Sequence, residues 1–287
     1  MTTSNVLLCA FLILFFITNT YSLPMIIPGA QSRIAFTAIE HKINTQNNDQ
    51  CDTSNTIAHA RDQIFELGAI VGQMCTLFLS VPHDSIECAK RPSLDDDPFW
   101  LESSPEKETV ANQLGELFLQ MFATSGVCGI DLCTSILKKV ELNGRKYPVE
   151  LCKGKSGKYT NYSEQTGITT TKGQSTIDSP TKSSSRAMED TTTVEGITLL
   201  IRNFANERLW NRYHTPRNIA LALLGEVGEL AELFQWRGDE GGIELSEEEL
   251  DKIGQEIADV SIYLLRLADI CHVPLGELAM ELLEARS

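Results

Sequence analysis

The sequence has no CxxC pair, no surplus of basic residues, no segment alternating at the strand period and no apolar run long enough to span a bilayer comfortably. Each absence narrows what the protein can be. Eight cysteines occur, Cys9 lying in an N-terminal apolar stretch and the other seven scattered. That odd, unpatterned set argues against both a disulfide framework and a zinc site, and most of these thiols are expected to be buried as small apolar groups. The balance of 24 basic against 39 acidic residues gives a net charge of -15, which repels phosphate backbones unless a cation intervenes. Nucleic acid is therefore excluded as a partner, while a metal-bridged nucleotide is not.

What is present begins with an apolar run of twelve residues, Val6 to Ile17, followed by Thr18-Asn19-Thr20 and Ser22. It reads as a signal or targeting peptide over residues 1–22, too short for a stable membrane span in the mature chain. Residues 23–50 carry Arg33 and Lys42 against Glu40 and Asp49, and 23–53 read as a transit element or disordered segment. An organelle is the expected destination, with the cytosol as the alternative. Residues 163–193 are dominated by Ser, Thr, Gly and isolated charges, cannot bury enough apolar surface to order themselves, and read as a linker. Two globular regions remain, 54–162 and 194–287, and the chain is long enough for both.

The second region punctuates itself into helices. Thr192 with Glu195 and Ser246 with Glu249 have capping-box spacing, Thr215-Pro216 offers an N-cap followed by an N1 proline, and Pro274 begins a fourth helix. The stretch from Gly238 to Gly242 is expected to end the second helix. The fold class is all-α. The two regions also resemble each other: Val71-Gly72-Gln73-Met74-Cys75-Thr76-Leu77-Phe78 aligns with Val227-Gly228-Glu229-Leu230-Ala231-Glu232-Leu233-Phe234, and Cys128-Gly129-Ile130-Asp131-Leu132 with Cys271-His272-Val273-Pro274-Leu275. A diverged tandem duplication is the reading.

Chemistry concentrates in four acids of the second region. On a helical wheel Glu226 and Glu229 lie about 60° apart, beside Ile219, Leu223, Leu230 and Leu233. Leu221, Leu224 and Phe234 occupy the other sides, so burial all round is expected of this helix. Glu256 and Asp259 repeat the spacing on the next helix, among Ile253, Val260, Tyr263 and Leu267. Buried carboxylates lose hydration and repel one another unless a cation compensates them. Two such pairs facing across a bundle offer oxygen donors that suit Mg²⁺ or Mn²⁺ and leave positions for water and phosphate oxygens. By contrast, Glu247, Glu248 and Glu249 start a helix and need no metal.

At these residues the sequence resembles the all-α nucleoside triphosphate pyrophosphohydrolases, the MazG-like family, and within it the dCTP pyrophosphatase group. The resemblance rests on Phe204-Ala205-Asn206-Glu207-Arg208-Leu209-Trp210, His214-Thr215-Pro216-Arg217-Asn218, the stretch from Leu224 to Trp236 and that from Glu256 to Leu264. It implies two tandem MazG-like helical-bundle domains, the first degenerate. It further implies that Glu226, Glu229, Glu256 and Asp259 bind Mg²⁺ and that Trp210, His214, Trp236 and Tyr263 line a nucleotide pocket; Arg217 and Asn218, at a helix N-terminus, are placed to meet phosphate oxygens. The implied reaction is hydrolysis of dCTP or a related dNTP to monophosphate and pyrophosphate, with Glu229 or Glu226 accepting the proton. The alternative is a decayed helical scaffold. In the first copy the acid positions read Ile70, Gln73, Gln113 and Glu116, so three of the four charges are missing. That copy keeps a tail from Lys139 through Tyr147 to Tyr159 that resembles the family's, whereas the second stops at Ser287, where such a tail should begin. Family members form oligomers, so a homo-oligomer or a covalent pseudo-dimer is implied. In the latter, Lys139, Asn143 or Lys146 could reach phosphates held by the second copy.

Overall fold

A computed structural model of the chain describes residues 33–46, 56–80, 106–155, 191–237 and 245–287. The expected targeting peptide at 1–22 lies outside the described residues, as does all but the C-terminal end of the 163–193 linker. The described elements are helices: α1 (Phe36–Gln46), α2 (Thr56–Ser80), α3 (Glu106–Val127), α4 (Leu132–Lys146), α5 (Val149–Cys152), α6 (Val194–Glu207), α7 (Pro216–Glu232), α8 (Glu247–Ile270) and α9 (Leu275–Ala285). Among the described residues the only β pairing is an isolated antiparallel bridge between Ala35 and Thr193, so the all-α expectation holds. No single described helix is long and apolar enough to cross a membrane. No disulfide joins the described cysteines, and Cys128, Cys152 and Cys271 are buried.

Local signals place the starts of α7 and α8 where expected. Thr215 caps α7 by accepting the Asn218 amide, with Pro216 at the first helical position. Ser246 and Glu249 form a complete capping box on α8, and Pro274 precedes α9. Two expectations are corrected. The N-cap of α6 is Thr193 rather than Thr192, and the Glu195 carboxylate accepts the Ile34 amide at 2.9 Å instead of closing a box. The cause is the short pairing of residues 34–36 with 192–194, which claims the Thr192 carbonyl and the Val194 amide. Within 23–53, residues 36–46 form α1, with Phe36 and Ile39 buried and the Phe36 ring 5.9 Å and 5.7 Å from those of Phe118 and Phe122. Helix α7 stops at Glu232, ahead of the glycines.

All described residues belong to one compact unit, Ser32–Ser287. Helix α2 packs on α3 and α7 on α8, and the two pairs meet through α2 against α7 and α3 against α8. Leu67, Val71 and Met74 of α2, Leu114, Leu117 and Met121 of α3, Leu223 and Leu230 of α7, and Ile257, Leu264 and Leu265 of α8 are fully buried there. Two further contacts cross between halves: α4, from the N-terminal half, lies along α8, and α9, from the C-terminal half, lies along α3. At the second crossing the helices come so close that a Cβ on Gly115 would sit 2.6 Å from Leu282. Each half thus lends its fourth long helix to the other.

The start of α8 is held by a charged clasp as well as by its cap. Glu249 accepts from the Ser246 amide and hydroxyl and from Arg237 at 2.7 Å, and these hydrogen bonds hold its carboxyl at about 2. A depressed carboxylate contributes stability in full above its unfolded value and loses it as pH falls through the folded one. Glu249→Gln is therefore expected to lower the melting temperature at pH 6 and to converge on the wild type as the pH is taken from about 4.5 towards 2. Paired thermal melts across that range check it.

Candidate active site

Helix α7 supplies Glu226, and α8 supplies Glu256 and Asp259 one turn apart. One carboxylate oxygen from each of the three can be chosen so that all lie within 4.8 Å of one another. The crossing helix α4 adds Lys139, whose ammonium ion-pairs with Asp259, both side chains being largely buried. Asn143 also hydrogen-bonds Asp259, and the Lys146 charge is felt at Asp259 and Glu256.

This set is short of positive charge. Burial, followed by repulsion from Asp259, Glu229 and Glu256, pushes the Glu226 carboxyl up to about 7 despite Lys139. Burial also raises Glu256 and Asp259, against the opposing pull of Lys139. The Glu256 Oε2 atom is buried with no hydrogen-bond partner among the described residues. A buried carboxylate oxygen left bare is costly, and a cation is the partner that would satisfy it while relieving the repulsion. An all-oxygen donor set of three close carboxylates fits a hard divalent cation. Glu229 stands apart from that trio: its side chain is exposed, and its charge reaches the site from the rim.

Beyond the acids the site continues as a largely aromatic wall. Tyr263 follows Asp259 by one turn, its phenol held protonated by burial and then by the charges of Glu226, Asp259, Tyr147 and Glu229. Trp210 lies on the connection between α6 and α7, its ring 5.5 Å from Tyr147 and 6.2 Å from His214. Its indole N–H donates to the Lys155 carbonyl at 2.8 Å. The wall is stitched to the N-terminal half by the turn after α5. Gly154 donates to the Arg208 carbonyl and accepts from Arg212 and Tyr213, while Arg208 donates to the Tyr147 carbonyl and stacks 3.5 Å over Phe204.

Of the residues the sequence singles out, Glu226, Glu256 and Asp259 come together, with Tyr263 beside them and Trp210 and His214 adjoining each other. The others have different surroundings. Trp236 is 89% exposed among the described residues. Arg217 donates to the Phe78 carbonyl near the end of α2, and Asn218 donates to the Tyr213 carbonyl, so both have structural partners. Full burial of α7 is corrected: Leu221 is 65% and Leu224 43% exposed, because only the face bearing Glu226 and Leu223 turns to the core. Sequence reasoning missed the Arg266–Asp269 ion pair, in which both side chains are 2% exposed. An Arg and an Asp three apart inside the apolar run Leu264 to Ile270 are the signal that could have found it.

No family model matches the chain, and no solved structure matches it. Curated proteins do. The chain is 51% identical over 85 residues to dCTP pyrophosphatase 1 of Rattus norvegicus, covering 29% of this chain and 50% of that protein. It is 51% identical over 85 residues to dCTP pyrophosphatase 1 of Homo sapiens, with the same coverage, and 49% identical over 87 residues to that of Bos taurus, covering 30% and 52%. The chain spans about half the length of the curated relatives it matches. These matches make it a relative of the dCTP pyrophosphatases.

Gly154 anchors the aromatic wall at φ +73°, and a Cβ there would lie 2.7 Å from an Arg212 guanidinium nitrogen. Gly154→Ala is expected to lower stability by about 1 to 2 kcal/mol. Gly144→Ala, in α4 where a Cβ meets open space, is expected to raise it by about 0.5 kcal/mol. Urea unfolding of the two variants gives the contrast.

Proposed function

We propose that the chain is a Mg²⁺-dependent nucleoside triphosphate pyrophosphatase that hydrolyses dCTP or a related dNTP to the monophosphate and pyrophosphate. The observation that carries this reading is the convergence of Glu226, Glu256 and Asp259, with a buried Glu256 oxygen unpartnered among the described residues, in a relative of the dCTP pyrophosphatases. Glu226, Glu256 and Asp259 would hold a divalent cation, which would neutralise the triphosphate and lower the pKa of a water. Lys139 and Lys146, brought by α4, face the negative charge of the triphosphate. Glu229, exposed at the rim outside the close trio, accepts the proton of the attacking water. The water oxygen forms a bond to the α-phosphorus as the bond to the bridging oxygen breaks, and pyrophosphate leaves with that electron pair. Trp210 and Tyr263 offer faces to the base and sugar.

We infer also that the two halves are diverged copies working as a covalent pseudo-dimer. What supports this is the pairing of equivalent elements: α1 and α6 start side by side at the Ala35–Thr193 bridge, with Phe36 and Ile39 buried as Val194 and Ile197 are. The reciprocal crossing of α4 and α9 supports it further. Among the described residues the N-terminal copy shows no such carboxylate cluster, and its Glu116 is paired with Arg286. One site among the described residues follows, built by both copies.

Pyrophosphate release across a dNTP panel with Mg²⁺ tests the activity and its base preference. Glu256→Gln and Asp259→Asn are each expected to lower kcat at least about a hundredfold. Full activity in Glu229→Gln and Asp259→Asn would sink the proposal. Residues 194–287 expressed alone, lacking α4, are expected to be inactive; full activity there would remove any role for the N-terminal copy.

A further inference from the structure

His214 adjoins Trp210 in the aromatic wall, and its chemistry is set by a residue the reaction does not touch. Arg266 Nε lies 3.0 Å from His214 Nδ1. A guanidinium has only donors, so Nδ1 must present its lone pair and the imidazole proton must sit on Nε2. Arg266 is itself held on every side: Nη1 donates to Asp269, Nη2 donates to Asn211 Oδ1 at 2.9 Å, and Arg202 closes the far side of Asp269 with Nε at 3.0 Å. Asn211 is anchored in turn to Asn206 at 2.6 Å. Burial and the Arg266 charge keep the imidazole neutral, its pKa lowered to about 3. His214 Nε2 has no hydrogen-bond partner among the described residues, and its ring neighbours Trp210.

Placement on α8 gives this donor its use. Asp259, Tyr263 and Arg266 follow one another at four- and three-residue spacing and so form one ridge, with Asp259 and Arg266 about 10 Å apart along the axis. A nucleotide with its phosphates at the acids and its sugar near Tyr263 brings its base to His214.

We propose that the Arg266–Asp269 pair, steadied by Arg202, is a positioning device that locks His214 as a neutral Nε2–H donor for a carbonyl acceptor of the bound pyrimidine base. This rests on the nucleotide pocket described above, while the tautomer stands on geometry alone. Arg266 and Asp269 act through His214, which is the group that meets the ligand. A fixed one-way donor also discriminates: a base edge presenting an N–H at that point leaves two donors facing each other.

The test is imidazole ¹⁵N–¹H spectroscopy of the full chain, with dCMP as the probe so that binding is read without turnover. The expected result is a single Nε2–H tautomer of His214 whose Nε2 proton signal shifts on saturation with dCMP. In Arg266→Leu/Asp269→Leu, which removes both charges together, the tautomers should mix and KM for dCTP should rise about tenfold with kcat within about twofold. Arg266→Lys, retaining a donor-only cation, should recover part of the KM. An Nδ1–H or mixed tautomer in the wild type, or saturation with dCMP that leaves the signal unmoved, overturns the proposal. Failure of dCMP to bind overturns it too. Loss of the proposed hydrolysis with the dCMP shift intact would instead refute the activity and leave this subsite standing.

Discussion

The lie of α4 along α8 is the contact on which the site depends. It carries Lys139 and Asn143 to Asp259, the most buried of the three close carboxylates, and sets Lys146 near Glu256. Without that crossing the carboxylates would face one another with no compensating charge at all. With it they are compensated only in part, since one ammonium contact cannot balance three acids and Glu226 still holds its proton to about pH 7. The residual imbalance makes the cavity receptive to a cation. The same crossing fixes the aromatic wall, because the turn after α5 accepts hydrogen bonds from Trp210 and Tyr213.

Much of the C-terminal half is legible in the sequence, because its signals are local. Thr215-Pro216 and the Ser246–Glu249 box act over a single turn, and the structure keeps both. The acid pairs are legible for a related reason, since three-residue spacing on an apolar helix fixes which side chains share a face. It does not fix which of them the neighbouring helix covers, and so Glu229 stands at the rim while Glu226 is half-buried. Two of the misreadings have non-local causes. Thr192 loses its capping role through the pairing of residues 34–36 with 192–194, and residues 36–46 form a helix that packs Phe36 on Phe118 and Phe122, contacts that no local pattern announces.

The exchange of α4 and α9 belongs to the same category. Local pattern marks where a helix starts but not which half of the chain it packs upon. The segment from α4 to Lys155 therefore belongs to the N-terminal half in sequence and lies against the C-terminal half in space. Arg266 shows a different blind spot. A charge inside an apolar run reads as a defect until its partners are known, yet here every donor that matters is engaged, and the imidazole beside it is left with a single role.

The crossing also has a temporal side. As the chain leaves the ribosome the N-terminal half emerges with the face of α3 that receives α9 uncovered, and α4 has no α8 to lie on. Neither half can close its core before the other exists, so folding is bound to wait for α8 and α9. Until then the apolar faces around Gly115 and Leu117 are open to capture by another nascent chain, whose own α9 would fit as well. An arrangement that keeps two halves from drifting apart in the finished molecule thereby makes its synthesis the moment of greatest exposure to entanglement between copies.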